Sequence, residues 1–260
     1  MCDFSTPNVV HRYAAIVSYD GSQYAGWQRQ HNAVSIQEQI EAALTKMHGH
    51  FVEIVASGRT DGLVHAKGQV FHFDSEKEIE GNNWQRALNS LLPKDIRIQK
   101  VEKVDNDFHA RFHATSKRYD YLVTNDVHNP FLEHYMGKDT MSLDISYMQE
   151  CANVFIGSHD FTSFCSAKID PRKPRIKNIT RLEIVPHENH VQMIFEGNGF
   201  LRYMVRMLAQ TLIEAGKHRI SKAEIQKMLD AKDKHVCRYK AAPQGLYLVE
   251  VRYDDRKVEI

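Results

Sequence analysis

Residues 57–73, SGRTDGLVHAKGQVFHF, constrain the fold more than any other stretch of the chain. The preceding FVEIVA (51–56) is apolar and β-branched, which predicts a strand. The following GQVFHF alternates in period two, with Val70 and His72 on one face and Phe71 and Phe73 on the other, which predicts a second strand. Between them stand Arg59, Asp61, His65 and Lys67, punctuated by Gly58, Gly62 and Gly68. Such glycines let a backbone take left-handed angles or approach a ligand closely. A carboxylate two residues from a guanidinium, held between two strands, suits a nucleophile with its counter-ion. Asp-Gly is also an ordinary turn signal, although this connection is too long and too polar for a two-residue turn. The loop therefore indicates a site without indicating a reaction.

The flanking chain supplies a frame. HRYAAIVSYDG (11–21) supplies a strand ending in the polar loop SYDGSQYAGWQRQ, whose Tyr24, Trp27, Gln28, Arg29 and Gln30 could contact bases or pack on a core. Ser35 and Glu38 form a capping box before a helix with Ile36, Ile40, Ala43, Leu44 and Met47 on one face. A short helix ending at Pro93 and a strand DIRIQKVEKV complete a β-α-β-β-α-β order. The second half repeats that order with one helix added: a strand SKRYDYLV, a helix LDISYMQECANVFIG, a hairpin across 177–198, a helix FLRYMVRMLAQTLIEAG, a capped helix from Ser221, and a closing strand GLYLVEVRYD. In the 200–216 helix Leu201, Met204, Val205, Leu208 and Leu212 make the core stripe, with Arg202 and Arg206 beside it. The expected fold is α+β. Two similar halves, 1–110 and 111–260, abut their mixed, mostly antiparallel sheets, with helices on one face and a cleft on the other.

Charge is unevenly placed: residues 1–110 carry net −3 and residues 111–260 net +4. The excess lies in CSAKIDPRKPRIKNITR (165–181), where six Lys/Arg face Asp170 alone. Clustered cations on a near-neutral chain suit a polyanion held at one place, and a solvated loop would read the same way. Pro171 and Pro174 keep the run from Arg172 to Lys177 extended, so it could track phosphates. An apolar fraction of 42% is enough for a sizeable core. No stretch resembles a signal peptide or a membrane span. Cys2, Cys151, Cys165 and Cys237 form no paired spacing. These features predict a cytoplasmic protein with no membrane partner. His109 and His113 have i, i+4 spacing, but no third ligand accompanies them, so no metal is expected.

Six stretches together resemble the TruA tRNA pseudouridine synthases, in that family's order: YDGSQYAGWQRQ, SGRTDGLVHAKGQVFHF, FHARFHATSKRYDY, HDFTSF, FLRYMVR and GLYLVEV. The resemblance implies an isomerase that turns uridine into pseudouridine in the anticodon stem-loop of tRNA, at positions 38, 39 and 40. It implies Asp61 as nucleophile, Arg59 as the arginine that assists base flipping, and Arg206 as the cation paired with Asp61. Tyr119 would stack on the target base and act on a proton, and Leu246 would wall the pocket. No cofactor is implied, and the partner beyond tRNA is a second copy in a homodimer. The alternative is an RNA-binding module without catalysis. Where the family reads Asp-Ala-Gly-Val-His, this chain has Asp61-Gly62-Leu63-Val64-His65, which predicts altered dihedrals after Asp61. The segment 166–179 is also more basic than the family pattern.

Overall fold

The computed structural model describes residues 10–169, 172 and 174–254. Its first half is β1 (His11–Tyr19), α1 (Ile36–His48), β2 (Ile54–Ala56), β3 (His65–Ser75), α2 (Gly81–Leu91) and β4 (Ile96–Val104). The second half contributes β5 (Ala114–Thr124), β6 (Gly137–Lys138), α3 (Ile145–Ala152), β7 (Gly157–Asp160), β8 (Ile176–Pro186), β9 (Val191–Gly197), α4 (Met204–Gly216), α5 (Lys222–Ala231) and β10 (Leu246–Tyr253). One sheet runs β4-β1-β3-β10-β5-β9-β8-β7, with β2 added to β3 and β6 to β5. Pairing is antiparallel except for β10 with β3 and β5 with β6. The expected α+β fold with a mixed, mostly antiparallel open sheet is what forms.

The last strand is the joint. Tyr247 and Leu248 register with His65 and Ala66 of β3, while Leu246 to Tyr253 run antiparallel to β5. Leu248 and Val251 enter a core built on Tyr13, Phe71, Phe73 and Trp84 under α1 and α2. Leu246 enters a second core with Phe155, Phe164 and Phe195 under α3, α4 and α5. Val64, although it belongs to the first half of the chain, also packs into that second core.

Local expectations were met unevenly. Ser35 caps α1 by accepting the Glu38 N–H, and the full reciprocal box forms at Ser221 and Glu224. The strand predicted over 51–56 is shorter, covering Ile54–Ala56 alone. The helix predicted from 200 begins at Met204, because Tyr203 has a left-handed backbone with φ 68°. Leu201 and Arg202 therefore precede the helix. Nor does α4 have a single apolar stripe: every residue but Gln210 is buried, Arg206 among them. Trp27 and Tyr24 are core residues rather than base contacts, with Trp27 against Tyr19 and Phe71. His109 and His113 serve a local turn, each Nδ1 accepting backbone N–H groups.

Leu248 is fully buried at the joint. Leu248→Ala should cost about 2–5 kcal/mol, the usual range for emptying such a site. A urea titration would show it as a lower midpoint with an unchanged slope.

Candidate active site

A cleft with a volume of about 1230 Å³ opens over the joint. Its wall includes Arg59, Asp61, Lys117, Tyr119, Arg206 and Leu246, so the five residues singled out from sequence share one cavity. Among the described residues eight of the lining are Lys or Arg, the other five being Arg111, Lys168, Lys177, Arg202 and Lys240, and two, Glu53 and Asp61, are acidic. A concave surface of this charge concentrates anions. Of the basic segment, Lys168 and Lys177 line the cleft. Pro171 and Lys173 lie outside the described residues.

The loop that carries Asp61 is held by backbone from two sides. Ser57 N–H donates to Val70 carbonyl at 2.8 Å. Gln69 takes the Ser57 hydroxyl at 2.6 Å and donates to the Gly58 carbonyl at 3.1 Å. From β5, the Lys117 ammonium donates to the Ser57 carbonyl at 2.6 Å. Burial pushes that ammonium down to about 8, with Arg111 and Lys177 acting in the same direction. On the other side, Trp27 N–H donates to the Thr60 carbonyl (3.1 Å) and Leu63 N–H to the Tyr24 carbonyl (3.2 Å). Gly26 bridges to Asp61 directly. With φ 107° and Thr60 O 2.7 Å from where a Cβ would stand, only glycine fits there. The YAGW motif is thus a clamp on the Asp61 backbone.

His65 anchors the far end. Its Nδ1 accepts the Gly21 N–H at 3.1 Å, its Nε2–H donates to the His134 carbonyl at 2.8 Å, and its ring stacks on Tyr247 at 4.7 Å. Burial lowers its basicity, in keeping with this neutral tautomer.

Two guanidinium groups face the Asp61 carboxylate. Arg206 Nη1 lies 3.4 Å from Oδ2, and Arg202 Nε lies 3.7 Å from Oδ1. Arg206, with a side chain 10% exposed, also donates through Nε to the Ala241 carbonyl at 2.8 Å; Arg202 is 53% exposed. Burial pushes the Asp61 carboxyl above its ordinary value, and Arg206, Arg202 and Lys240 pull against that without cancelling it. Burial and then the Asp61 charge push the Tyr119 phenol up, so it holds its proton. Phe200 stands edge-on to the Tyr119 ring at 5.3 Å. Arg59 is exposed in the cleft wall, and no ion pair joins it to Asp61 among the described contacts. The counter-ion comes from α4 and the residues before it, not from two residues along the loop.

Sequence reasoning missed Arg202 as a partner of Asp61, and missed Lys117 and Lys240 altogether. Arg202 carried a signal in its spacing from Arg206. Lys117 carried one as well, standing two residues before Tyr119 and so on the same strand face; Lys240 carried none. Among the described residues no group of three or more His, Cys, Asp or Glu could hold a metal. No helix among them is long and apolar enough to cross a membrane.

The Asp61-Gly62-Leu63 departure has a structural counterpart. The left-handed residue is Leu63, φ 66°, at the place where the family pattern puts its glycine, and Gly62 has no positive φ. A side chain there costs roughly 1–2 kcal/mol. Leu63→Gly should therefore raise stability by about 0.5–1 kcal/mol after the greater freedom of the unfolded glycine is subtracted. Leu63→Ala keeps the strain and should stay within about 0.5 kcal/mol of the parent. Chemical denaturation of the pair would separate backbone strain from side-chain packing.

Comparison with known proteins matches this chain, over residues 15–113 and 151–254, to a family model described as tRNA pseudouridine synthase. It is similar to a tRNA pseudouridine synthase A of Listeria monocytogenes serotype 4a, 47% identical over 247 residues, covering 94% of this chain and 99% of that protein. It is also similar to proteins of that name from Bacillus pumilus (46% identical, 92% and 98% covered) and an Exiguobacterium species (41%, 94% and 99%). Among solved structures, a Cbf5-Nop10-Gar1 complex aligns with 90% of this chain at a TM-score of 0.39 and 10% identity. This chain spans 57% of that chain, and the likeness is too distant to carry an inference.

Proposed function

This chain belongs to the tRNA pseudouridine synthase family, and from that premise we propose that it isomerises uridine to pseudouridine in the anticodon stem-loop of tRNA, at positions 38, 39 and 40, with Asp61 as nucleophile. The coarser statement, an isomerase that forms pseudouridine in tRNA, follows from the family. The observation that supports Asp61 as nucleophile is its placement: a carboxylate beside Arg206 and Arg202 in a cleft whose charged lining is mostly cationic. A binding surface for phosphates gains nothing from an anion at its centre.

The chemistry asked of the site is limited. The N1–C1′ bond breaks, a C1′–C5 bond forms, the proton on C5 leaves and N1 gains one, so no atom or electron is added overall. Asp61 attacks either ribose C1′, expelling the uracil anion, or C6 of the base; in both cases a covalent intermediate divides the step. Burial disfavours the charged carboxylate, and Arg206 and Arg202 favour it. A nucleotide within a stem must first leave the stack. In this reading Arg59, exposed in the cleft wall, takes phosphate during that movement. Tyr119 stacks on the base as a neutral phenol, which makes it a hydrogen-bond donor before it is a base. Leu246, buried beside Tyr121, closes the pocket. The remaining cations track the RNA backbone. The reading includes a cytoplasmic homodimer, which sedimentation would test.

Asp61→Asn should abolish tritium release from C5-labelled uridine in unmodified tRNA, with tRNA affinity within a few fold of the parent. Turnover near the parent's would leave an RNA-binding or differently catalysed protein. Arg206→Met keeps bulk and removes charge. Because the ionised carboxylate then loses its nearest cation, the Asp61 pKa rises further and the acid limb of the pH–rate profile moves to higher pH. A profile that stayed in place would transfer the pairing to Arg202.

A further inference from the structure

Tyr203 is unusual in two independent respects. Its backbone is left-handed, φ 68° and ψ −5°, a conformation disfavoured for any residue with a Cβ and found mainly where surrounding structure enforces it. Although it occupies the position before α4, its side chain makes no capping bond. The ring is instead approached by three cations. The Arg202 guanidinium carbon is 4.8 Å from the ring centroid, that of Arg206 is 5.4 Å, and the Lys240 ammonium is 4.7 Å. Arg202 also donates to the Tyr203 hydroxyl at 3.2 Å.

The backbone around the ring keeps this group together. Ser166 N–H donates to the Arg202 carbonyl at 2.9 Å and Met204 N–H to the Leu201 carbonyl at 3.0 Å. Arg206 and Ala241 exchange two bonds, Arg206 Nε to the Ala241 carbonyl at 2.8 Å and Ala241 N–H to the Arg206 carbonyl at 2.9 Å. That exchange holds Lys240 next to the start of α4. Three cations repel one another, and one carboxylate balances the charge of only one. An aromatic face attracts each of them.

We propose that Tyr203 is a positioning residue for the reaction: its left-handed backbone sets its ring in the cleft wall, and the ring gathers Arg202, Arg206 and Lys240 beside Asp61. Among the described residues, the groups with the largest effect on Asp61 come from several elements. Arg202, Arg206 and Lys240 face it from α4 and the segments before α4 and β10, Tyr119 faces it from β5, and residues 24–27 meet it with backbone. Tyr119 is neutral, so the ionisation of Asp61 depends on how tightly the three cations are collected. The kinetic part of this inference rests on Asp61 being the nucleophile; the ionisation part does not.

The test is a carbon-13 NMR titration of the Asp61 carboxyl in the full-length protein, its signal assigned by loss in Asp61→Asn. Tyr203→Leu removes the aromatic face and should raise the Asp61 pKa by about one unit, a tenfold loss of ionised carboxylate on the acid side. Tyr203→Phe keeps the face and should stay near the parent. Tyr203→Gly removes face and strain together, so it should raise the pKa as leucine does while giving a different thermal midpoint, because leucine keeps the left-handed strain and glycine relieves it. An element that served only to hold the fold would not separate those two readouts. Single-turnover pseudouridine formation below the pKa should fall about tenfold in the leucine variant, with KM for tRNA little changed. An unmoved carboxyl titration in Tyr203→Leu and Tyr203→Gly, or an equal shift in Tyr203→Phe, overturns the proposal. A shifted titration with an unmoved rate supports the positioning role and overturns instead the assignment of Asp61 as nucleophile.

Discussion

The Asp61 carboxylate beside Arg206 and Arg202 sets the terms for the rest of the structure. Removing a carboxylate from water disfavours its charge, and nearby cations restore it. Here neither effect is complete: three-quarters of the side chain is covered, two guanidinium groups stand at 3.4 and 3.7 Å, and burial still has the upper hand. Such a balance depends on distances, since the Coulomb energy falls as they grow. The surrounding frame supplies them. Backbone bonds from residues 24–27 and from β3 fix the carboxylate's side of the pair, and the Ala241 exchange fixes the arginine's side.

The frame exists because the two halves of the chain share a strand. The aspartate loop hangs between β2 and β3, while the arginines stand at the start of α4, well over a hundred residues later. β10 pairs with β3 on one edge and β5 on the other, and it places side chains in both cores. Lys117 and Tyr119 on β5 thereby come within reach of the loop on the other half. The cation excess noted for residues 165–181 contributes Lys168 and Lys177 to the wall, but most of the positive lining comes from elsewhere.

Much of this was legible in the residues, and what was not has identifiable causes. The order of strands and helices follows from periodicity and caps, both local properties. The six ordered motifs carried Asp61, Arg206, Tyr119 and Leu246 to one place, and the cleft brings them together. The start of α4 was misread because a left-handed tyrosine has no signature in sequence, so an apolar run looked like helix from Phe200. Trp27 read ambiguously because an aromatic in a polar loop can serve a ligand or a core; its partners, Tyr19 and Phe71, decided for the core. Arg59 suggests itself as the counter-ion by sequence proximity, whereas Asp61 pairs with Arg206 and Arg202 and Arg59 stands exposed in the cleft wall. Lys240 reaches the site only through tertiary contacts, which no local pattern records.

The position of β10 also bears on how the chain is made. Synthesis proceeds from the N-terminus, and early segments can begin to organise while later ones are still being added. β3 and β5 can each pair with the strands preceding or following them, but their shared neighbour lies well over a hundred residues after either. Until residues 246–253 are free of the ribosome, β3 and β5 have no strand between them and Leu246 is missing from the pocket. The cleft, with Asp61 on one side of that strand and Lys117 and Tyr119 on the other, therefore takes its shape only when β10 docks.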